Sequence, residues 1–148
     1  MKNIKVEIGD VFLIPYQDKY AVCRVLWISK RTKNAFSFIV KDKLVDTKEE
    51  AVEIIDTAPN ISVQIFTGLI SVFYTDITKL KKGEWKIIGS QKLTIGESDN
   101  FQYHNIGGKL FKGDEEVRLL NNAEIKTIPK MLNAGYEAIN NFLKMAFE

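Results

Sequence analysis

Residues 9–28 constrain the fold more than any other part of this chain. Gly9-Asp10-Val11-Phe12-Leu13-Ile14-Pro15 is a short apolar run, opened by a glycine and stopped by a residue with no amide to give to a sheet ladder. Gln17-Asp18-Lys19 reads as a turn, and Tyr20 to Ile28 resumes as a long run rich in β-branched and aromatic side chains. The two runs form a hairpin. Alternate residues of a strand share a face, so Ala21, Cys23, Val25 and Trp27 make a wholly apolar side that faces a core. Arg24 falls on the other side with Tyr20, Val22, Leu26 and Ile28, and partial contact with water is expected there.

The rest of the chain adds strands and two helices. After a basic turn at 29–34, Ala35 to Val40 is a third strand. Thr47-Lys48-Glu49-Glu50 has the form of a capping box, in which hydroxyl and carboxylate each satisfy an orphan amide of a first helical turn. At helical spacing Ala51, Val52, Ile54 and Ile55 fall on one side and Glu49, Glu50, Glu53 and Asp56 on the other. Pro59 and Asn60 end this helix. Ile61, Val63 and Ile65 then alternate with more polar positions up to Gly68, a bulge or bend. Leu69 to Tyr74, apolar on both faces save Ser71, is predicted as the central strand. Asp76 to Lys82 connects, and Trp85 to Ile88 is a further strand closed by Gly89. Gly107-Gly108 and Gly113-Asp114 flank a Lys109 to Lys112 strand. Val117 to Leu120 and Ala123 to Ile128 are read as the last strands. A helix follows from Pro129, with Leu132, Tyr136, Ile139, Phe142, Leu143 and Ala146 on one side and Asn133, Glu137, Asn140 and Lys144 opposite. Gly135 lies within its apolar arc, where the helix backbone is expected to approach the sheet closely. The expectation is a single α+β domain over 1–148: a strongly twisted antiparallel sheet or partial barrel of about 6–8 strands, a short helix near 47–56, and a C-terminal helix near 129–146 packed on the sheet.

Composition narrows the function classes. A chain of 148 residues can bury a core without disulfide or metal staples, and 45% apolar with 27% charged residues excludes a wholly disordered chain. The longest apolar run, 65–74, falls well short of the about 20 residues that span a bilayer, and no apolar signal region follows Met1, so the cytoplasm is the expected compartment. Cys23 is the sole cysteine and reads as a small buried hydrophobe. His104, the sole histidine, has no second ligand at short spacing and reads as a surface or loop residue. The glycines form no phosphate cradle, the pairs Glu49/Glu50 and Glu115/Glu116 are adjacent in sequence, and Ser71, Ser90 and Ser98 lack a nucleophile-elbow context. No catalytic residue, metal or cofactor is expected. The net charge of +2 points to no nucleic acid, but the charge is unevenly placed. Five carboxylates against Lys48 leave residues 46–56 at −4, and four lysines against Glu84 leave 79–86 at +3. Either can be an ordinary solvated face. Trp27 reads as core, whereas Trp85, bordering the basic loop, suits core or contact equally.

The opening hairpin and the later Gly83-Glu84-Trp85-Lys86-Ile87-Ile88-Gly89 resemble the immunity protein 26 family of bacterial polymorphic-toxin systems. The resemblance rests on Gly9, Asp10, Phe12, Ile14, Pro15, Tyr20, Ala21, Arg24, Val25, Gly83, Trp85, Ile88 and Gly89, and departs at Cys23, where the family pattern has glycine. It implies a non-enzymatic protein that binds and neutralises a cognate toxin. Of the motif residues, Gly9, Asp10, Pro15, Tyr20, Arg24, Gly83 and Gly89 are given structural roles. Gly9 and Gly89 are read as backbone requirements, and Asp10 as a turn cap or a contact. Glu49, Glu50, Glu53 and Asp56, with Trp85, are the expected toxin contacts. The alternative is a small nucleic-acid-binding module using Lys79, Lys81, Lys82, Lys86 and Trp85, or a ligand-binding regulatory module. The sequence fixes no oligomeric state.

Overall fold

A computed structural model describes residues 4–30, 34–65, 68–95, 97, 103–106, 108–112, 114–128 and 135–148. The opening hairpin forms as the alternation dictates. Strand β1 (Asp10–Tyr16) pairs antiparallel with β2 (Lys19–Ile28), setting Phe12 opposite Cys23 and Ile14 opposite Ala21. The turn between them holds Gln17 at φ 53°. Strand β3 (Ala35–Val45) pairs with the other edge of β2, which makes β2 the middle of the main sheet.

Helix α1 (Lys48–Ile54) follows, then a small hairpin of β4 (Val63–Ile65) and β5 (Gly68–Ile70). Next come β6 (Phe73–Asp76), α2 (Thr78–Lys81) and β7 (Lys86–Ser90). The main sheet runs β6-β3-β2-β1-β7 and is open, not a closed barrel. A second sheet, in the order β10-β9-β8, is built from β8 (Tyr103–Ile106), β9 (Lys109–Lys112) and β10 (Glu115–Leu119). Helices α3 (Asn122–Thr127) and α4 (Tyr136–Phe147) close the described chain. The mixed α+β, mainly antiparallel architecture is as expected, with ten strands among the described residues.

Three expectations about the course of the backbone are overturned. Leu69 to Tyr74 is not a central strand: it breaks at Ser71 and Val72, its first part pairs in the small hairpin, and its second part is the edge strand β6. Ala123 to Ile128 is not a strand but largely helix α3. There Asn121 caps with its side chain accepting from the Glu124 amide at 2.9 Å, while the Glu124 carboxylate accepts from the Asn121 amide at 3.2 Å. That reciprocal pair satisfies two orphan donors and outweighs the β-like spacing of the apolar residues. Gly135 is not inside a helix against the sheet. It is the N-cap of α4 at φ −72°, and a Cβ built on it meets nothing within 4 Å. The expected helix start at Pro129, with Leu132 and Asn133, lies outside the described residues.

The sheet is covered on both faces. On one, Phe12, Ile14, Ala21, Cys23, Val25, Phe36 and Phe38 join Trp85 of the β7 approach and Ile139 and Leu143 of α4 in the main core. Its aromatic rings are in contact: Phe12 with Phe38 at 5.5 Å, Phe12 stacked on Trp85 at 5.8 Å, and Phe73 against Phe142 at 5.5 Å. On the other face Val11, Leu13, Val22 and Val45 form a smaller core with Ala51, Ile54 and Ile55 from α1 and its C-terminal turn. Val52, expected on the buried side of that helix, is 61% exposed because the helix is only two turns long and rests on Ala51 and Ile54.

Candidate functional site

Helix α1 carries the acidic segment. Thr47 caps it, accepting from the Glu50 amide at 3.2 Å, and Glu49 and Glu50 sit in the first turn, where negative charge complements the helix dipole. Ala51 and Ile54 anchor it to the smaller core. The structure sets Glu49, Glu53 and Asp56 out in solvent beside the exposed Val52. Glu50 does not join them fully: it is half-buried, with its carboxylate turned towards the Asp46 amide.

The helix leaves part of its sheet face open. Between α1 and β7 lies a cleft of about 250 Å³ lined by Val11 and Ile88 of the sheet, by Val52, Ile55 and Asp56 of the helix side, and by Gly89, Ser90 and Gln91. The Gln91 amide donates to the Asp56 carboxylate across it. A second cleft of about 400 Å³ lies towards the start of the helix, lined by Leu13, Pro15, Tyr20, Thr47, Gly83 and Lys86 among others. Ile88 lines both. The cleft at the end of α1 is thus apolar at its base with Asp56 on its helix side, whereas the cleft at the start of the helix mixes Asp46 and Glu84 with Lys48 and Lys86.

The motif residues divide by role. Gly9 is a backbone requirement, with φ +96° and a Cβ position 2.8 Å from the Gln91 carbonyl oxygen. Asp10 is a buried turn cap, its carboxylate accepting from the Glu7 amide at 2.8 Å. Gly83 sits at φ +78°. Pro15 and Tyr20 pair at the hairpin end and line the larger cleft. Gly89, expected as a backbone requirement, is not one: its φ is not positive and a Cβ there enters open space. Arg24 is not partly wet. It is 6% exposed, and its guanidinium donates to the Gln91 carbonyl at 2.7 and 3.0 Å, the Lys92 carbonyl at 2.7 Å and the Glu97 carboxylate at 3.1 Å. The segment leaving β7 thereby becomes its lid. Bonding from the Thr94 amide, with help from Arg24, holds the Glu97 carboxyl below its usual range.

Two aromatic-site expectations also change. Trp85, expected among the contacts, is 4% exposed, held between Phe12 and Tyr136. The ammonium of Lys79 lies 4.6 Å from the Tyr136 ring centroid and 5.9 Å from that of Trp85, so this lysine is used in packing. Trp27 is core, as expected. His104 is not a surface or loop residue: it is 0% exposed in β8, its Nδ1 is 2.6 Å from the Tyr74 hydroxyl, and its ring packs 4.3 Å from Trp27. Burial pushes its pKa down to about 4, so the imidazole is neutral. Nothing in the sequence near His104 marks that burial, because the residues around it come from β2 and β6. Burial also pushes the Cys23 thiol up, away from nucleophilic character.

Among the described residues no group of three or more His, Cys, Asp or Glu is placed to hold a metal ion, and no helix is long and apolar enough to cross a membrane. No curated protein and no solved structure matches the chain. A family model, immunity protein 26, matches residues 7–113, from just before β1 to just after β9. With the opening hairpin, the Trp85 segment and the α1 surface all inside that match, the chain belongs to the immunity protein 26 family.

Proposed function

We propose that this protein is an immunity protein that binds a cognate bacterial toxin domain stoichiometrically and neutralises it without catalysis, using the surface formed by α1 and its flanking clefts. Family membership supports the class of function. The observation that supports this surface is the coincidence of exposed Glu49, Glu53 and Asp56 with two clefts that share Ile88 beside the same short helix. Carboxylates around an apolar depression steer a basic partner to the surface and leave affinity to the buried contacts. The nucleic-acid alternative loses its stacking platform, since the Trp85 ring is enclosed in the main core.

The test is association with the toxin domain encoded next to this gene. Replacing Glu49 with Gln and Glu53 with Lys is expected to slow association roughly ten-fold or more at low salt, with the difference shrinking as salt rises. These positions are exposed, so the melting temperature should move little. Glu50 is left intact because it helps to order the start of the helix. A double variant that associates and protects cells as wild type does would remove the acidic face from the contact. Failure of the wild-type protein to bind that toxin would end the immunity reading itself.

A further inference from the structure

Among the described residues strand β7 is the edge of the main sheet, with β1 as its one strand neighbour and no other backbone hydrogen bond at Lys86 to Ser90. The opposite edge, β6, is shielded, with Phe73, Tyr74 and Thr75 buried and Tyr74 bonded to His104 of the second sheet. Among the described residues no strand pairs with the outer edge of β7, and Lys86, Gly89 and Ser90 are exposed. Natural sheet edges are ordinarily blunted by proline, charge or an overlying element, since an open edge accepts another strand. Within β7 itself only Lys86 answers to that description.

Gly89 is the second observation. A glycine inside a strand weakens it and needs a reason: a positive φ, a crowded Cβ site, or the close approach of another backbone. The first two are absent, as its Cβ would meet nothing within 4 Å. The bulge at Ile88, opposite the Val11 to Phe12 step, does not require it either, because only the bulge form with φ above zero selects glycine. Gly89 instead lines the cleft of about 250 Å³ whose base is Val11 and Ile88 and whose helix wall carries Asp56.

We infer that β7 accepts an extended segment of the toxin as an added antiparallel or parallel strand. One apolar side chain of that segment enters the cleft at Gly89, and neighbouring Lys or Arg residues reach Asp56 and Glu53. This inference rests on the immunity reading and names the partner chemistry of the same surface. Main-chain bonding supplies affinity that does not depend on side-chain identity, while the cleft and the carboxylates select the segment. The edge of five residues, at about 3.4 Å each, offers about 17 Å of ladder.

The experiment is amide hydrogen exchange of the full chain, alone and with the toxin domain encoded by the adjacent gene. Binding is run in parallel on wild type and Gly89→Val. Expected are slowed exchange across Lys86 to Ser90 in the complex, an unchanged melting temperature for the variant, and at least a ten-fold loss of its affinity. Unchanged β7 exchange in a formed complex overturns strand addition, whatever the variant does. So does a Gly89→Val protein that folds and binds as wild type. In either case the immunity reading survives on the wild-type complex; absence of any wild-type complex sinks both.

Discussion

Two glycines of the same family motif set behave differently, and the reason is local geometry. Gly9 has φ +96° with a carbonyl 2.8 Å from its Cβ position, whereas Gly89 has an ordinary φ and open space. Gly9→Val is therefore expected to cost at least about 2 kcal/mol from backbone strain and overpacking. Gly89→Ala should be neutral or raise stability by about 0.4–1 kcal/mol, as a compatible Gly→Ala change does. Urea melts of the two variants check both. His104 gives the second prediction at this scale. Its imidazole is held neutral by burial, with a pKa of about 4 against an ordinary 6.5. As pH falls below 6.5 the unfolded chain takes up a proton that the folded chain refuses. Stability is thus full above 6.5, declines by up to roughly 3 kcal/mol as pH approaches 4, and receives no further loss from this group below that. His104→Gln, which keeps a polar partner for Tyr74, should show a flatter urea midpoint between pH 7 and 4 than wild type. Identical profiles would show that His104 is not the group responsible.

At the scale of the element, α4 is anchored by Ile139, 2% exposed, and Leu143 in the main core, with Phe142 half-buried against Phe73. Ile139→Ala is expected to cost about 2–5 kcal/mol in a urea melt, and Glu137→Ala on the solvent side within about 0.5. The amphipathic spacing made this helix readable, as did the alternation in β1 and β2. What escaped the sequence has two causes: elements decided by long-range pairing, and one decided by a cap that outweighs the spacing of its apolar residues. The run at 69–74 looks like one strand by hydrophobicity, but the β4 hairpin claims its first part. In α3 a capping pair at Asn121 and Glu124 decides the outcome, and it was visible in principle as an Asn followed three residues later by Glu. Arg24 was placed on the right face of its strand. Its cover, though, comes from residues 91–97, about seventy positions away, which periodicity cannot report. For the candidate site, the acidic helix face was legible from spacing; the clefts, which need β1, β7 and α1 together, were not.

For the whole molecule, the family match ends at residue 113, yet the main core is completed by Ile139 and Leu143 beyond it. A chain ended after Leu120 should lose its cooperative urea transition and bind a hydrophobic dye, because it removes Ile139 and Leu143 from the main core and uncovers Phe73 and Trp85, which pack against Phe142 and Tyr136. A sharp, native-like melt of that fragment would show that the C-terminal helices are dispensable. The use of both sheet faces has a further consequence. The large aromatic core lies on the α4 face, while α1 rests on a separate and smaller cluster. Exposed substitutions at Val52, Glu53 or Asp56 therefore leave the aromatic core untouched and change stability by only tenths of a kcal/mol each. On the proposed toxin-binding role, a lineage pressed to follow a changing adversary can revise this helix residue by residue while its capacity to fold stays constant, so divergence should accumulate on the α1 face first.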